Sequence, residues 1–92
     1  MASLHPSHGA RVVLEREAIE GGEVRYRVSI YEARALHTSV ARIDASGAVT
    51  LEAWTSEPPA AASAFAKRLL EGLPKKHAAD ASWPRKLTRW RG

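Results

Sequence analysis

The residues with the clearest chemical potential lie near the C-terminus, where basic and aromatic side chains are interleaved. Trp83 and Trp90 stand in this segment. Arginine and lysine neutralise phosphates and tryptophan stacks on exposed bases, so the combination is typical of surfaces that bind single-stranded nucleic acid. The candidate nucleic-acid contacts are Lys75, Lys76, Arg85, Lys86, Arg89 and Arg91.

A structural role explains the same tryptophans without a ligand. In a helix, Trp83, Leu87 and Trp90 would fall at spacing i, i+4 and i+7 and form an apolar stripe. In an extended segment, Thr88 and Trp90 would point to one side and Leu87 to the other, as in an edge strand. We favour docking of this segment on the rest of the protein, with its basic side facing solvent. The candidate core or interaction anchors are Trp54, Trp83, Leu87 and Trp90.

The charge of the chain is unevenly distributed. Residues 1–57 carry six basic and eight acidic side chains, a net charge of −2, whereas residues 58–92 carry eight basic and two acidic ones, a net charge of +6. A basic C-terminal third is typical of chains with a polyanionic partner.

The other polar side chains give little indication of catalysis or of a cofactor. His5 and His8 are too few for a metal site, which needs three or four ligands, and the chain has no cysteine. His37 and Ser39 share a strand face near Asp44, but no nucleophile motif surrounds Ser39. We therefore predict no catalytic residue, no metal and no cofactor, and a protein that is not an enzyme.

The first half of the chain shows strand patterns. After a loose arm over residues 1–10, strands are predicted over 11–19, 24–33, 35–44 and 49–55, because apolar and polar residues alternate and glycine-containing turns follow the first and third of them. The segment Asp44–Gly47 has the signature of a type I turn.

The hairpin around Gly21 and Gly22 has two possible registers. A two-residue loop pairs Glu20 with Glu23 and then mixes the apolar and charged faces. A three-residue loop pairs Glu20 with Val24 and keeps one face apolar, so we predict the latter. The opposed pairs are then Glu17 with Arg27, Leu14 with Ile30, and Ala18 with Tyr26. Pairing with Glu15 and Glu17 also accounts for Arg25 and Arg27, which share the outer face of their strand with Tyr31.

A helix follows the strands. Pro58 and Pro59 suit a first helical turn, residues 61–70 are rich in helix formers, and Gly72 with Pro74 is expected to end the helix near residue 73. The predicted buried stripe consists of Ala62, Phe65, Ala66, Leu69 and Leu73. A linker over 75–82 and the tail 83–92 complete the chain.

The predicted fold is α+β: a four-stranded antiparallel meander, one packed helix and a short C-terminal element. The predicted organisation is an N-terminal arm (1–10), a β4α domain (11–73) and a basic tryptophan-containing segment (74–92) docked on it. The order of elements in 11–73 resembles that of Whirly-type and related transcriptional coactivator domains that bind single-stranded DNA. The resemblance rests on element order and implies a sheet that binds DNA, although the strands here are net acidic.

These observations favour a small non-enzymatic interaction module. One helix cannot cover four strands fully, so a protein partner or a second copy of the chain is the leading prediction. The alternative is a nucleic-acid-binding module that uses the basic C-terminal face. The N-terminus lacks a secretory signal pattern and no apolar run reaches the ~20 residues of a membrane span. We expect no membrane partner and a cytoplasmic location.

Overall fold

In a computed structural model, which describes residues 9–80 and 82–91, five strands form one antiparallel sheet and a single helix packs on it. The predicted α+β class, with an antiparallel sheet and one helix, is confirmed. The strands lie in the order β4-β3-β2-β1-β5. The elements are β1 (Ala10–Glu20), β2 (Glu23–Tyr31), β3 (Leu36–Ile43), β4 (Val49–Leu51), α1 (Ala60–Asp80) and β5 (Lys86–Arg91).

The C-terminal segment supplies the fifth strand, which the sequence left open between helix and strand. β5 pairs antiparallel with β1, and Leu14 lies opposite Leu87 while Arg11 lies opposite Trp90. Without β5, the free edge of β1 would expose unpaired backbone groups. Most of the predicted arm, residues 1–8 with His5 and His8 among them, lies outside the described part of the chain. Ala10, the last residue of the predicted arm, belongs to β1.

The predicted three-residue loop between β1 and β2 is wrong. Gly21 and Gly22 form a two-residue turn in which both φ angles are positive, 57° and 82°, and Glu20 pairs with Glu23. Such a turn matches the twist of a hairpin. A β-bulge at Glu17 then keeps the apolar residues of both strands on the same face of the sheet, because the register shifts between Arg16 and Ala18. The opposed pairs include Leu14 with Val28, Arg16 with Tyr26, and Glu15 with Arg27.

The bulge also changes which residues of β1 face the core beyond Glu17. Ala18 lies opposite Arg25, and Ile19 lies opposite the buried Val24. The expected placement of Ala18 on the core face is therefore wrong, since one extra residue in a strand exchanges its two faces.

The strand β4 is shorter than the predicted 49–55. The chain continues beside β3, since Glu52 N donates to Val40 O and Thr55 N donates to Thr38 O, both at 2.9 Å. These two donors are three positions apart in the chain, whereas their acceptors in β3 are two positions apart, as in a regular ladder. The extra residue turns Trp54 toward the core, against which it packs as a partly buried side chain.

The helix α1 continues through Pro74, so the predicted stop near residue 73 and the linker over 75–82 are wrong. The predicted boundary between 73 and 74 thus falls inside α1. An interior proline typically costs about 3 kcal/mol because it removes one backbone hydrogen bond. Pro74 lies close to the β3–β4 turn: a Cβ placed on Gly47 would lie 3.3 Å from the Pro74 Cβ. The buried helix positions are Ala62, Ala66, Leu70 and Leu73, with Phe65 and Leu69 partly buried.

The core lies between α1 and one face of the sheet. The opposite side, called the outer face below, is defined by its register positions, and many of its side chains are exposed. The outer-face residues are Arg11, Val13, Glu15, Arg25, Arg27, Ser29, Tyr31, Leu36, Thr38, Val40, Arg42, Thr50, Lys86, Thr88 and Trp90.

Candidate functional site

Three arginines are neighbours of an exposed tryptophan, in the strand or in the sheet, where β1 begins and β5 ends. The register places Trp90 opposite Arg11 and on the outer face, while Arg89 and Arg91 flank it on the helix side of the same edge strand. We call Arg11, Arg89, Trp90 and Arg91 the arginine–tryptophan corner. Strand alternation thus presents one aromatic ring between cations on both sides of an edge.

The Arg11 guanidinium lies over the Trp90 ring, with its Cζ 5.2 Å from the ring centroid. This distance is within the range of a cation–π contact. Trp90 is 60% exposed, and Tyr31 lies on the other side of Arg11, directly opposite it in β2. The Arg11 Nε is buried and has no hydrogen-bond partner within the described residues. The corner therefore offers an open aromatic surface next to a partly buried cation.

Charge is divided along the strands. The corner end carries Arg11, Arg89 and Arg91, and Arg34 lies in the β2–β3 connection at the same end of the sheet. The opposite end carries acidic side chains: Glu20 and Glu23 flank the turn, and Glu17 stands at the bulge, three residues before Glu20. The Glu17 carboxylate contacts Arg25 at 3.8 Å and Arg27 at 3.3 Å, so these arginines are paired as predicted. The corner end thus has an excess of positive charge even with Glu32 in the β2–β3 connection, and this favours an anion there over the acidic turn.

The remaining basic candidates do not join the corner. Lys75 and Lys76 are exposed on α1, and Arg85 precedes β5. Lys86 lies on the outer face opposite Glu15. Of the six predicted contacts, Arg89 and Arg91 lie beside Trp90, whereas sequence reasoning did not include Arg11. Its proximity to Trp90 depends on strand pairing, which no local pattern reveals.

The other anchors are structural. Trp54, Trp83 and Leu87 pack against the core. Trp83 also stacks on His77, with the ring centroids 4.2 Å apart and 14° between the planes. The Trp83 carbonyl accepts a hydrogen bond from Arg16 Nη1 at 2.8 Å. These contacts fix the chain just before β5, and of the four anchors Trp90 is the exposed one.

A cleft of about 450 Å³ lies between the two turns and the end of α1. Ile19, Val24, Pro74 and Trp83 give it a largely apolar wall. Asp44 stands at its rim, but its carboxylate is already engaged. The Ser46 hydroxyl and the backbone N–H of Ala48 donate to it and lower the pKa of Asp44. The Asp44 side chain thus stabilises its own turn.

A second polar cluster is centred on His37. This residue is only 6% exposed, and its Nε2 lies 2.5 Å from the Glu32 carboxylate. Its Nδ1 lies 2.8 Å from Ser56 Oγ and 3.0 Å from Ser56 O. The Ser39 and Asp44 side chains, considered with His37 from the sequence, have other contacts: Ser39 donates to Glu52 O. Sequence reasoning missed Glu32 and Ser56 because they lie in two separate connections.

Within residues 9–80 and 82–91, no group of three or more histidine or acidic side chains is arranged to hold a metal ion. The same residues contain no helix with the length and apolar character needed to cross a bilayer. Comparison with known proteins found no matching protein-family model, no matching curated protein and no matching solved structure.

Proposed function

We propose that the protein is a binding module whose arginine–tryptophan corner binds single-stranded nucleic acid. The observation that carries the proposal is the Arg11 guanidinium lying over the 60% exposed Trp90 ring, with Arg89 and Arg91 on either side of that tryptophan in the strand. Single-stranded nucleic acids are bound where cations follow the backbone and aromatic rings stack on bases.

The spacing of the aromatic side chains supports this role. Trp90 and Tyr31 lie two strands apart on the outer face, roughly 10 Å from the usual strand separation, with Arg11 between them. A base stacked on Trp90 would lie next to the Arg11 guanidinium, and its backbone would meet Arg89 and Arg91 only where the strand passes around the edge of β5. Duplex DNA holds its bases inside the stack, so the arrangement favours a single strand.

The edge of β5 argues against a second copy of the chain as the partner. Antiparallel pairing of two β5 strands over their full length would place Lys86 of each copy opposite Arg91 of the other. Like charges directly opposed across strands are destabilising, and lysine-rich or arginine-rich edges block such pairing. The prediction of a protein partner or homodimer stays open and is one outcome of the test.

Fluorescence anisotropy with a labelled 15-nucleotide single strand tests the proposal, at about 50 and 200 mM salt. Binding is expected to weaken as salt rises, and a duplex of the same length should bind less tightly. Trp90→Ala removes a stacking surface and should cost about 1–3 kcal/mol of binding free energy. The double change Arg89→Ala with Arg91→Ala should reduce the salt slope by about 1.4, since each phosphate contact on a single strand contributes about 0.7.

The chain offers a matched control. Arg68 lies over the Phe65 ring with its Cζ 6.0 Å from the centroid, a similar arrangement placed on α1. Arg11→Ala should weaken oligonucleotide binding, whereas Arg68→Ala should not. Equal effects of the two changes, or no anisotropy change at either salt, would overturn the proposal. Sedimentation of the same samples shows whether a dimer forms, and an acidic peptide as competitor shows whether any acidic chain suffices.

A further inference from the structure

The cluster around His37 has the arrangement of an activated serine. Ser56 is exposed, and its Oγ lies 2.8 Å from Nδ1 of the buried His37. The other ring nitrogen, Nε2, lies 2.5 Å from the Glu32 carboxylate. A hydroxyl within hydrogen-bond reach of a base, with the base oriented by a third group, is the geometry shared by serine nucleophiles on unrelated folds.

The partners decide which ring nitrogen carries the proton. An ionised carboxylate only accepts hydrogen bonds, so Nε2 carries a proton and donates it to Glu32. In the neutral ring, Nδ1 is then an acceptor, and the Ser56 hydroxyl is the partner that can donate to it. The tautomer is thus the one in which His37 can take the proton of Ser56.

The backbone carbonyl of Ser56 also contacts the Nδ1 atom of His37. It lies 3.0 Å from Nδ1 and can only accept a hydrogen bond. Once the hydroxyl proton has moved to Nδ1, this carbonyl becomes an acceptor for it. The protonated ring would then be held by Glu32 on one side and by the Ser56 carbonyl on the other.

The loop that carries Ser56 is held in position by β3. Thr55 N donates to Thr38 O at 2.9 Å, and Thr38 N donates to the Thr55 Oγ1 at 3.0 Å. Pro58 is buried two residues further on. These contacts limit the movement of Ser56 relative to His37, and a fixed near-attack geometry is what makes an attached base effective.

We propose that Ser56 is a nucleophile that accepts an acyl group from an activated ester, with His37 as its general base and Glu32 as the positioning residue for His37. The Ser56 Oγ forms a bond to the acyl carbon while the hydroxyl proton passes to His37 Nδ1. The ester C–O bond breaks, and the departing oxygen takes the proton from His37 and leaves as the alcohol. The product is acyl-Ser56. This inference is independent of nucleic-acid binding at the corner.

The test uses p-nitrophenyl acetate and the intact protein, with peptide mapping by mass spectrometry to locate each acetyl group. Acetylation is expected at Ser56 in the unchanged protein, and it should be absent at this position in the Ser56→Ala variant. Ser46 is the matched control, since it is also exposed and its hydroxyl donates to a carboxylate, Asp44, at 2.6 Å without a histidine. Ser46 should stay unmodified over the time in which Ser56 reacts.

Variants of the other two residues separate reactivity from structure. His37→Gln should slow acetylation of Ser56 by about 100-fold or more, the usual contribution of a general base. Glu32→Gln should also slow it, and Glu32→Asp, which keeps the carboxylate, should retain more of the rate. Thermal unfolding of each variant shows whether it is folded.

Two results would overturn the proposal. One is acetylation of Ser56 no faster than that of Ser46 in the unchanged protein, a comparison that stands even if His37→Gln does not fold. The other is a folded His37→Gln protein that acetylates Ser56 at the original rate, since His37 would then only tie the loop to β3.

Discussion

The Tyr26 hydroxyl donates a hydrogen bond to the Pro84 carbonyl, 2.7 Å away, and so joins β2 to the segment just before β5. Tyr26 is fully buried on the core face. Removing the hydroxyl in Tyr26→Phe leaves the Pro84 carbonyl without this donor, so we expect a loss of about 1–2 kcal/mol in the free energy of unfolding. Urea unfolding followed by circular dichroism measures it. Unchanged stability would mean that water replaces the hydroxyl.

The same residue predicts a loss of stability in alkaline solution. Burial raises the pKa of Tyr26 above its ordinary value of 10.0, and the nearby Arg16 opposes this only in part. The unfolded chain therefore releases the proton first, and stability that is fully present below about pH 10 falls as the pH rises beyond it. Unfolding measured between about pH 8 and 11 should show this fall. It should be smaller in Tyr26→Phe and should persist in Tyr31→Phe, which keeps Tyr26.

The bulge at Glu17 makes a prediction about chain length. Deleting Glu17 removes the extra residue, and Arg16 and Ala18 then pair with Tyr26 and Arg25 in a regular ladder with their faces unchanged. The loss should be about 1 kcal/mol or less, because only exposed ion pairs disappear.

Deleting Glu15 instead is the matched control. It keeps Leu14 opposite Val28 only if Glu17 takes a regular position on the core face, where a carboxylate is costly, and if Arg16 turns outward. Urea unfolding should show a clearly larger loss for this deletion. Equal losses would contradict the assignment of the extra residue to Glu17.

The sequence predicted the alternation of β2 well because Val24, Tyr26, Val28 and Ile30 make one face of that strand apolar along its whole length. It failed where a single inserted residue changes the register, as at Glu17 and beside Trp54, since no residue type there marks a bulge. Pro74 illustrates a second kind of failure, in which a local rule is overridden. A proline after a glycine ordinarily ends a helix, but the close approach of Pro74 to Gly47 joins distant segments and cannot be read from a local pattern. For the same reason Arg89 and Arg91 were visible as candidates, whereas Arg11 and the His37 cluster were not.

Arg16 is predicted to hold the start of β5. Its Nη1 donates to Trp83 O at 2.8 Å, and its backbone N–H donates to Arg85 O at 2.9 Å. Arg16→Ala removes the first bond and should cost about 1.5–3 kcal/mol, the range for a hydrogen bond from a charged group. In Arg16→Ala, the rate of amide hydrogen exchange relative to the unchanged protein should rise more in β5 than in β3. Arg25→Ala, on the outer face, should leave β5 protection unchanged; a similar loss in both variants would contradict this role for Arg16.

Gly47 tests the close approach between the β3–β4 turn and α1. Its φ of 88° is strained for any residue with a Cβ, and that Cβ would also lie 3.3 Å from the Pro74 Cβ. Gly21 has a positive φ of 57° but no neighbouring atom within 4 Å of an added Cβ. Gly21→Ala should therefore cost about 1–2 kcal/mol from backbone strain alone. Gly47→Ala should cost more, because α1 must also move near Pro74, and thermal unfolding of the two variants gives the difference. If the two losses were equal, the contact with Pro74 would add nothing to the backbone strain at Gly47.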